Sequence, residues 1–328
     1  MVLMILLVGL FCIAGYTSAG STSATTQAAT VPSLTPIPTT TLSTTPVQKT
    51  QTSSINVPLP TENYETGLTP KTFPYILRGQ PDTINLNLYS GVYNQISSET
   101  PPAACYRDNY NTSPCSRDEL QQYYLKYINE PDQEKGLDNL VNSIKVKTPI
   151  QDDQARIAIS LVQQIPYDYN KLYGGGRGNA RYPYDVLYDD KGICEEKSLL
   201  LTYLLRGLGY GVVLFEYPTE NHMAVGIKSP AAYAYKNTEY AFVETTIPTI
   251  VTDDQENYKG IGKLREFPNI YTVSDGISFN SVSVEFHDAN ELIQLETLVN
   301  SSGGSLDEDH YDALMLLVQS YGLKISNY

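Results

Sequence analysis

The sequence predicts an α+β fold, and two blocks of pattern predict it. Helical spacing recurs over 116–130, 134–145, 152–165 and 195–208, whereas period-two alternation is confined to 210–217, 222–228 and 240–246. Helices gathered ahead of the strands describe a helical layer packed on an antiparallel sheet, not a parallel βαβ array.

The chain opens on an apolar run of about fifteen residues followed by the small residues Thr17, Ser18 and Ala19, which predicts a signal peptide over 1–19. Left uncleaved, the same run is the expected membrane tether, although it is short of the ~20 residues that a span needs. Residues 20–69 are dominated by Ser, Thr and Pro. Such a segment buries too little apolar surface to offset chain entropy, so it reads as a disordered stalk, of the kind that carries O-glycans. Residues 70–149 are expected to form a mainly helical region. Its clearest helix is capped by Ser116, with Glu119 three residues on as capping-box partner. The next long helix, over 152–165, aligns Ile157, Leu161, Val162 and Ile165 on one face and ends at Pro166.

The Tyr- and Gly-rich stretch 167–192 reads as an irregular, mobile connection near a site. Its triple glycine lacks the Lys-Ser/Thr helix start of a phosphate loop. Over 195–208 the apolar positions 199, 200, 201, 204, 205 and 208 cover too much of the helix for a surface stripe, so this helix is buried; Gly207 and Gly209 end it. Three strands follow, the first stopped by Pro218. They complete a core over 150–250. The extension 251–328 is expected to hold a strand near 279–286 and a helix pair near 288–300 and 306–321.

The formal charge is −14, from 22 basic and 36 acidic side chains, with no basic patch. That balance excludes nucleic acid as a partner and disfavours anionic membrane surfaces. No metal or other cofactor is expected, since the acidic pairs at 189–190 and 253–254 lack the spacing of a calcium loop. Of four cysteines, Cys12 falls in the signal segment, while Cys105 and Cys115 flank a polar turn-rich loop and are the expected disulfide of an exported protein. Cys194 is left over. Acceptor triplets for N-glycans stand at Asn111 and Asn300.

Cys194 opens the buried helix, where unsatisfied N–H groups and the helix dipole favour a thiolate and can hold an oxyanion. Glu195 and Glu196 oppose a thiolate, so a reactive Cys194 requires a cationic partner. Three histidines exist. His310 sits in an acidic helix start, and His287 beside Asp288 is an ordinary helix boundary. His222 opens a strand whose alternation groups it with the small residues Ala224 and Gly226, leaving room for a substrate or a packed helix. In 240–246 the same alternation groups Tyr240, Phe242 and Glu244. On an antiparallel neighbour, Glu244 reaches the His222 ring and fixes its tautomer, completing a nucleophile, base and orienter set.

The runs "YPYDVLYDDKGICEEKSLLLTYLLRGLGYGVVLF", "NHMAVGI" and "YAFVETT", with "IPYDYN" upstream, resemble the transglutaminase-like superfamily of papain-like cysteine enzymes over roughly 150–250. The resemblance implies a papain-like core in which Cys194 is the nucleophile, His222 the base and Glu244 the orienting acid. Glu244 stands where the family usually has the shorter Asp. Some members hold the oxyanion with a tryptophan N–H; this chain has no tryptophan, and the Cys194 N–H with the Tyr167 hydroxyl is the expected substitute. The expected function is that of an exported, cell-surface enzyme that hydrolyses amide bonds in a protein or peptide through a thioester. Two alternatives stand beside it: a cross-linking acyl transferase, and a surface-displayed binding or scaffold domain without turnover. Oligomeric state is left open.

Overall fold

The computed structural model describes residues 64–99, 115–173, 179–255 and 263–324. The expected signal peptide, the stalk as far as residue 63, Cys105 and Asn111 lie outside them. Mixed helix and antiparallel sheet make the fold α+β.

The region expected to be mainly helical opens instead on a hairpin. Strands β1 (Leu68–Leu77) and β2 (Gln80–Tyr89) pair antiparallel across Arg78 and Gly79, both with positive φ, the two-residue turn whose twist suits a hairpin. Ile84, Leu86 and Leu88 are buried between exposed neighbours, so β2 covers the core with one face. β1 overlaps the last two residues of the expected stalk, 68 and 69.

Helices α1 (Ser90–Ser98), α2 (Arg117–Ile128), α3 (Pro131–Lys147) and α4 (Gln151–Gln164) follow. In α2 the Glu119 N–H donates to Ser116 Oγ at 3.2 Å and the Ser116 N–H to Glu119 Oε2 at 2.7 Å, the capping box read from sequence. The connection expected to be irregular contains two short helices, α5 (Tyr169–Tyr173) and α6 (Pro183–Asp189). Pro183 starts α6 because its missing N–H and fixed φ suit a first helical turn.

Helix α7 (Cys194–Gly207) is the centre of the molecule, with Leu199, Leu200, Leu201, Leu204 and Leu205 all inaccessible to solvent. It packs on strands β3 (Val212–Tyr217) and β4 (His222–Lys228) and against α3, α4 and α6. Strands β5 (Tyr240–Val243) and β6 (Asn269–Ser274) complete an antiparallel sheet of order β5-β4-β3-β6. Met223, Val225 and Ile227 face the α7 side. The small residues Ala224 and Gly226 open no substrate space; they make room for Val213, Phe215, Tyr235 and Phe242 on the opposite face.

The segment 279–286 is not a strand. Phe279 and Val282 are buried in a turn, and α8 (Ser283–Ser301) starts there, with α9 (Glu308–Tyr321) packed against it through Leu292, Leu295, Leu314 and Leu317. Arg156 of α4 fixes α8, donating to Glu285 Oε2 at 3.0 Å and to Ser281 Oγ at 2.9 Å. No helix among the described residues is long and apolar enough to cross a membrane.

Candidate active site

Three separate segments meet at the first turn of α7. Gly192, two residues before Cys194, is held to the chain after α4: its N–H donates to the Pro166 carbonyl at 3.2 Å and its carbonyl accepts from the Asp168 N–H at 3.1 Å. This pair of bonds brings Tyr167 onto Cys194. The Tyr167 hydroxyl accepts from the Cys194 N–H and also hydrogen-bonds the thiol. Burial first, and the charge at Cys194 next, hold the Tyr167 phenol well above its ordinary value, so it remains a proton donor.

Cys194 is buried and free of any disulfide. His222 stands at the start of β4, and antiparallel pairing of β4 with β5 carries Glu244 past it. The His222 Nε2 and Glu244 Oε2 atoms are 2.8 Å apart, and the Cys194 side chain is near enough to bear on the imidazole. Glu244 therefore takes one ring nitrogen, and Cys194 stands beside the ring. Burial alone depresses the His222 pKa, but Glu244 and Cys194 outweigh it and push it up to about 10. At neutral pH the ring is an imidazolium, the cationic partner that Cys194 was expected to need.

Glu244 is buried, yet its carboxyl is held below the usual range. Desolvation acts against the charge; the His222 cation and hydrogen bonds prevail. Its Oε1 accepts from the Thr245 N–H at 3.0 Å, the Thr246 N–H at 2.8 Å and the Thr246 hydroxyl at 2.7 Å. A carboxylate with four donors is satisfied without water.

The sequence reading missed the second layer of this site. Lys197, one turn into α7, is inaccessible to solvent and donates to the carbonyls of Ile165 at 2.6 Å, Thr246 at 3.1 Å and Gln163 at 3.4 Å. It ties the segment before Tyr167 to the segment after Glu244. Gln163 adds a parallel tie, donating to the carbonyls of Glu244 at 2.9 Å and Thr249 at 3.0 Å. A lysine inside a leucine-rich helix with no solvent face was the available signal. Glu196, by contrast, faces away from the thiol. It is paired with Lys171 and with Arg181, whose NH1 lies 3.1 Å away, and it caps α7 by accepting from the Ile193 N–H at 3.0 Å.

The thiol opens on a cleft of about 490 Å³, bordered by Leu120 and Tyr124 of α2, Leu172, Glu195, Glu216 and Met223. Cys115 also borders it and is disulfide-bonded. The remaining candidates lie elsewhere. His287 is exposed on α8, His310 is exposed with Nδ1 2.6 Å from the Asp307 carboxylate, and Asn300 is exposed on the last turn of α8. Among the described residues no group of three His, Cys, Asp or Glu is placed to hold a metal ion.

No protein-family model matches the chain, and neither does any curated protein. Among solved structures, the chain is similar to one from Parabacteroides distasonis ATCC 8503 titled a "putative protease", at 12% identity and a TM-score of 0.30. That similarity covers 55% of this chain and 38% of the other.

Proposed function

We propose that this chain is a cysteine hydrolase of amide bonds, with a papain-like core of the transglutaminase-like kind. The observation that carries the reading is the gathering of Cys194, His222 and Glu244, with His222 bonded to Glu244 beside the thiol and the Tyr167 hydroxyl on the Cys194 N–H. The Cys194 sulfur attacks the carbonyl carbon, forming a C–S bond while the carbonyl oxygen takes the negative charge. The Cys194 N–H and Tyr167 O–H donate to that oxygen. Collapse breaks the C–N bond, and the His222 imidazolium gives its proton to the departing amine. Water, deprotonated by the now neutral His222, attacks the thioester; the C–S bond breaks, and the carboxylic acid leaves with the Cys194 thiolate and the His222 imidazolium restored. Glu244 holds the ring and its charge throughout. The disulfide at Cys115 favours an oxidising compartment, in line with a protein exported to the cell surface.

The test is the rate of Cys194 alkylation by iodoacetamide between pH 5 and 9, with turnover of p-nitrophenyl acetate measured in parallel. Alkylation at pH 6 falls roughly 10²-fold in His222→Ala, and ester turnover is lost in Cys194→Ala. A thiol that is inert, or equally reactive without His222, overturns the enzyme and leaves a binding domain. Faster ester turnover in the presence of a primary amine, with amide formed, identifies acyl transfer in place of hydrolysis.

A further inference from the structure

The cleft in front of Cys194 carries two carboxylates that the hydrolytic steps do not use. Glu216, on β3, accepts from the hydroxyls of Tyr124 at 3.3 Å and Tyr271 at 2.7 Å and from Asn269 Nδ2 at 3.0 Å, all neutral donors. Glu195, next to the nucleophile, has no hydrogen-bond or ion-pair partner among the described residues, and its charge bears on both Glu216 and Tyr124.

The nearby cations are already committed: Lys171 and Arg181 to Glu196, and Arg117 to the Ile270 carbonyl. Among the described residues no lysine or arginine lines the cleft. Buried charge without a counter-charge is costly, and such a group titrates upward instead. Desolvation first, then Glu196, push Glu195 up to about 7, with Lys171 acting against them and Glu216 adding to them. Beside the two acids, Leu120, Leu172 and Met223 offer apolar wall. An acidic end and an apolar flank, in a cavity open to the nucleophile, match a side chain with an aliphatic stem and a charged head.

We propose that Glu195 and Glu216 form a specificity subsite for a long cationic side chain, lysine or arginine, of the peptide that Cys194 attacks. This rests on the hydrolase reading above. The cation brings a counter-charge to Glu195 and Glu216 and lays its stem along Leu120 and Leu172. An anionic peptide at the same place meets two carboxylates of its own sign.

The test reads the charge of the site through the thiol itself and needs no known substrate. Three methanethiosulfonates of similar size, bearing a trimethylammonium, a sulfonate or no charge, are reacted with the full chain, and Cys194 modification is timed by intact mass. The cationic reagent reacts about tenfold faster than the neutral one, and the anionic reagent more slowly. The cation-to-neutral ratio falls toward one in Glu195→Gln and Glu216→Gln, and it falls in the native chain as salt is raised. The salt series uses the unaltered protein, so a variant that misfolds does not remove the test. Equal rates for all three reagents, or fastest reaction with the anion, overturn the subsite while fast neutral modification leaves the hydrolase standing. Neutral modification no faster than in His222→Ala overturns the hydrolase and the subsite with it.

Discussion

His222 owes its proton to Glu244, and that dependence is measurable. With a pKa raised to about 10, the ring stays charged through neutral pH, and Glu244→Gln returns its titration toward the ordinary range, as followed by NMR of the imidazole. The same variant loses the buried bond at 2.8 Å and unfolds about 2 kcal/mol more easily at pH 6.5 by urea titration. Tyr167→Phe keeps the ring and removes the donor beside the Cys194 N–H. Acyl transfer to Cys194 from p-nitrophenyl acetate then slows roughly 10²-fold, while alkylation by iodoacetamide, which forms no oxyanion and feels only the lost bond to the thiol, changes far less. These residues were legible in the sequence because each chemical role demands a residue type, and three histidines made the search short. Lys197 and Gln163 were not, because their partners are carbonyl oxygens, which every residue has.

At the scale of elements, α7 and the sheet behind it were read from pattern because burial writes itself into leucine and valine spacing. The β1–β2 hairpin was missed although "TINLNLY" alternates strictly, since its turn is Arg-Gly and not one of the strong hairpin dipeptides. The strand expected at 279–286 failed for the opposite reason: Val282, Val284 and Phe286 alternate, yet Phe279 and Val282 fill a turn that feeds α8, and tertiary packing overrides a short period. Close packing on the far face of the sheet gives a test. A Cβ at Gly226 meets Val213 Cγ2 at 2.6 Å and the Phe215 ring at 2.7 Å, so Gly226→Ala destabilises the fold by about 1–3 kcal/mol in urea unfolding.

For the whole molecule, His222 and Lys197 pull the pH dependence in opposite directions. The stability that Glu244 confers through His222 is complete below the ordinary histidine value of 6.5 and is lost as pH rises to about 10. Burial instead lowers Lys197 to about 7 against an ordinary 10.5, so its cost is full below about 7 and is relieved as pH climbs to 10.5. Three carbonyl acceptors match the three donors of an ammonium, and this geometry resists the loss of the proton. Urea midpoints at pH 7 and pH 10 check the signs. The gap between the native chain and Glu244→Gln narrows with rising pH, while the gap to Lys197→Met widens.

The Lys197 cage also sets the moment at which the molecule acquires its chemistry. A chain made from its N-terminus displays Cys194 before His222, and His222 before Glu244 and the Thr246 carbonyl exist. Until the Glu244 and Thr246 carbonyls close on Gln163 and Lys197, Tyr167 and Glu244 have no common anchor. A nascent chain therefore carries its nucleophile unarmed, and the ribosome and its surroundings meet an ordinary cysteine until the core is complete.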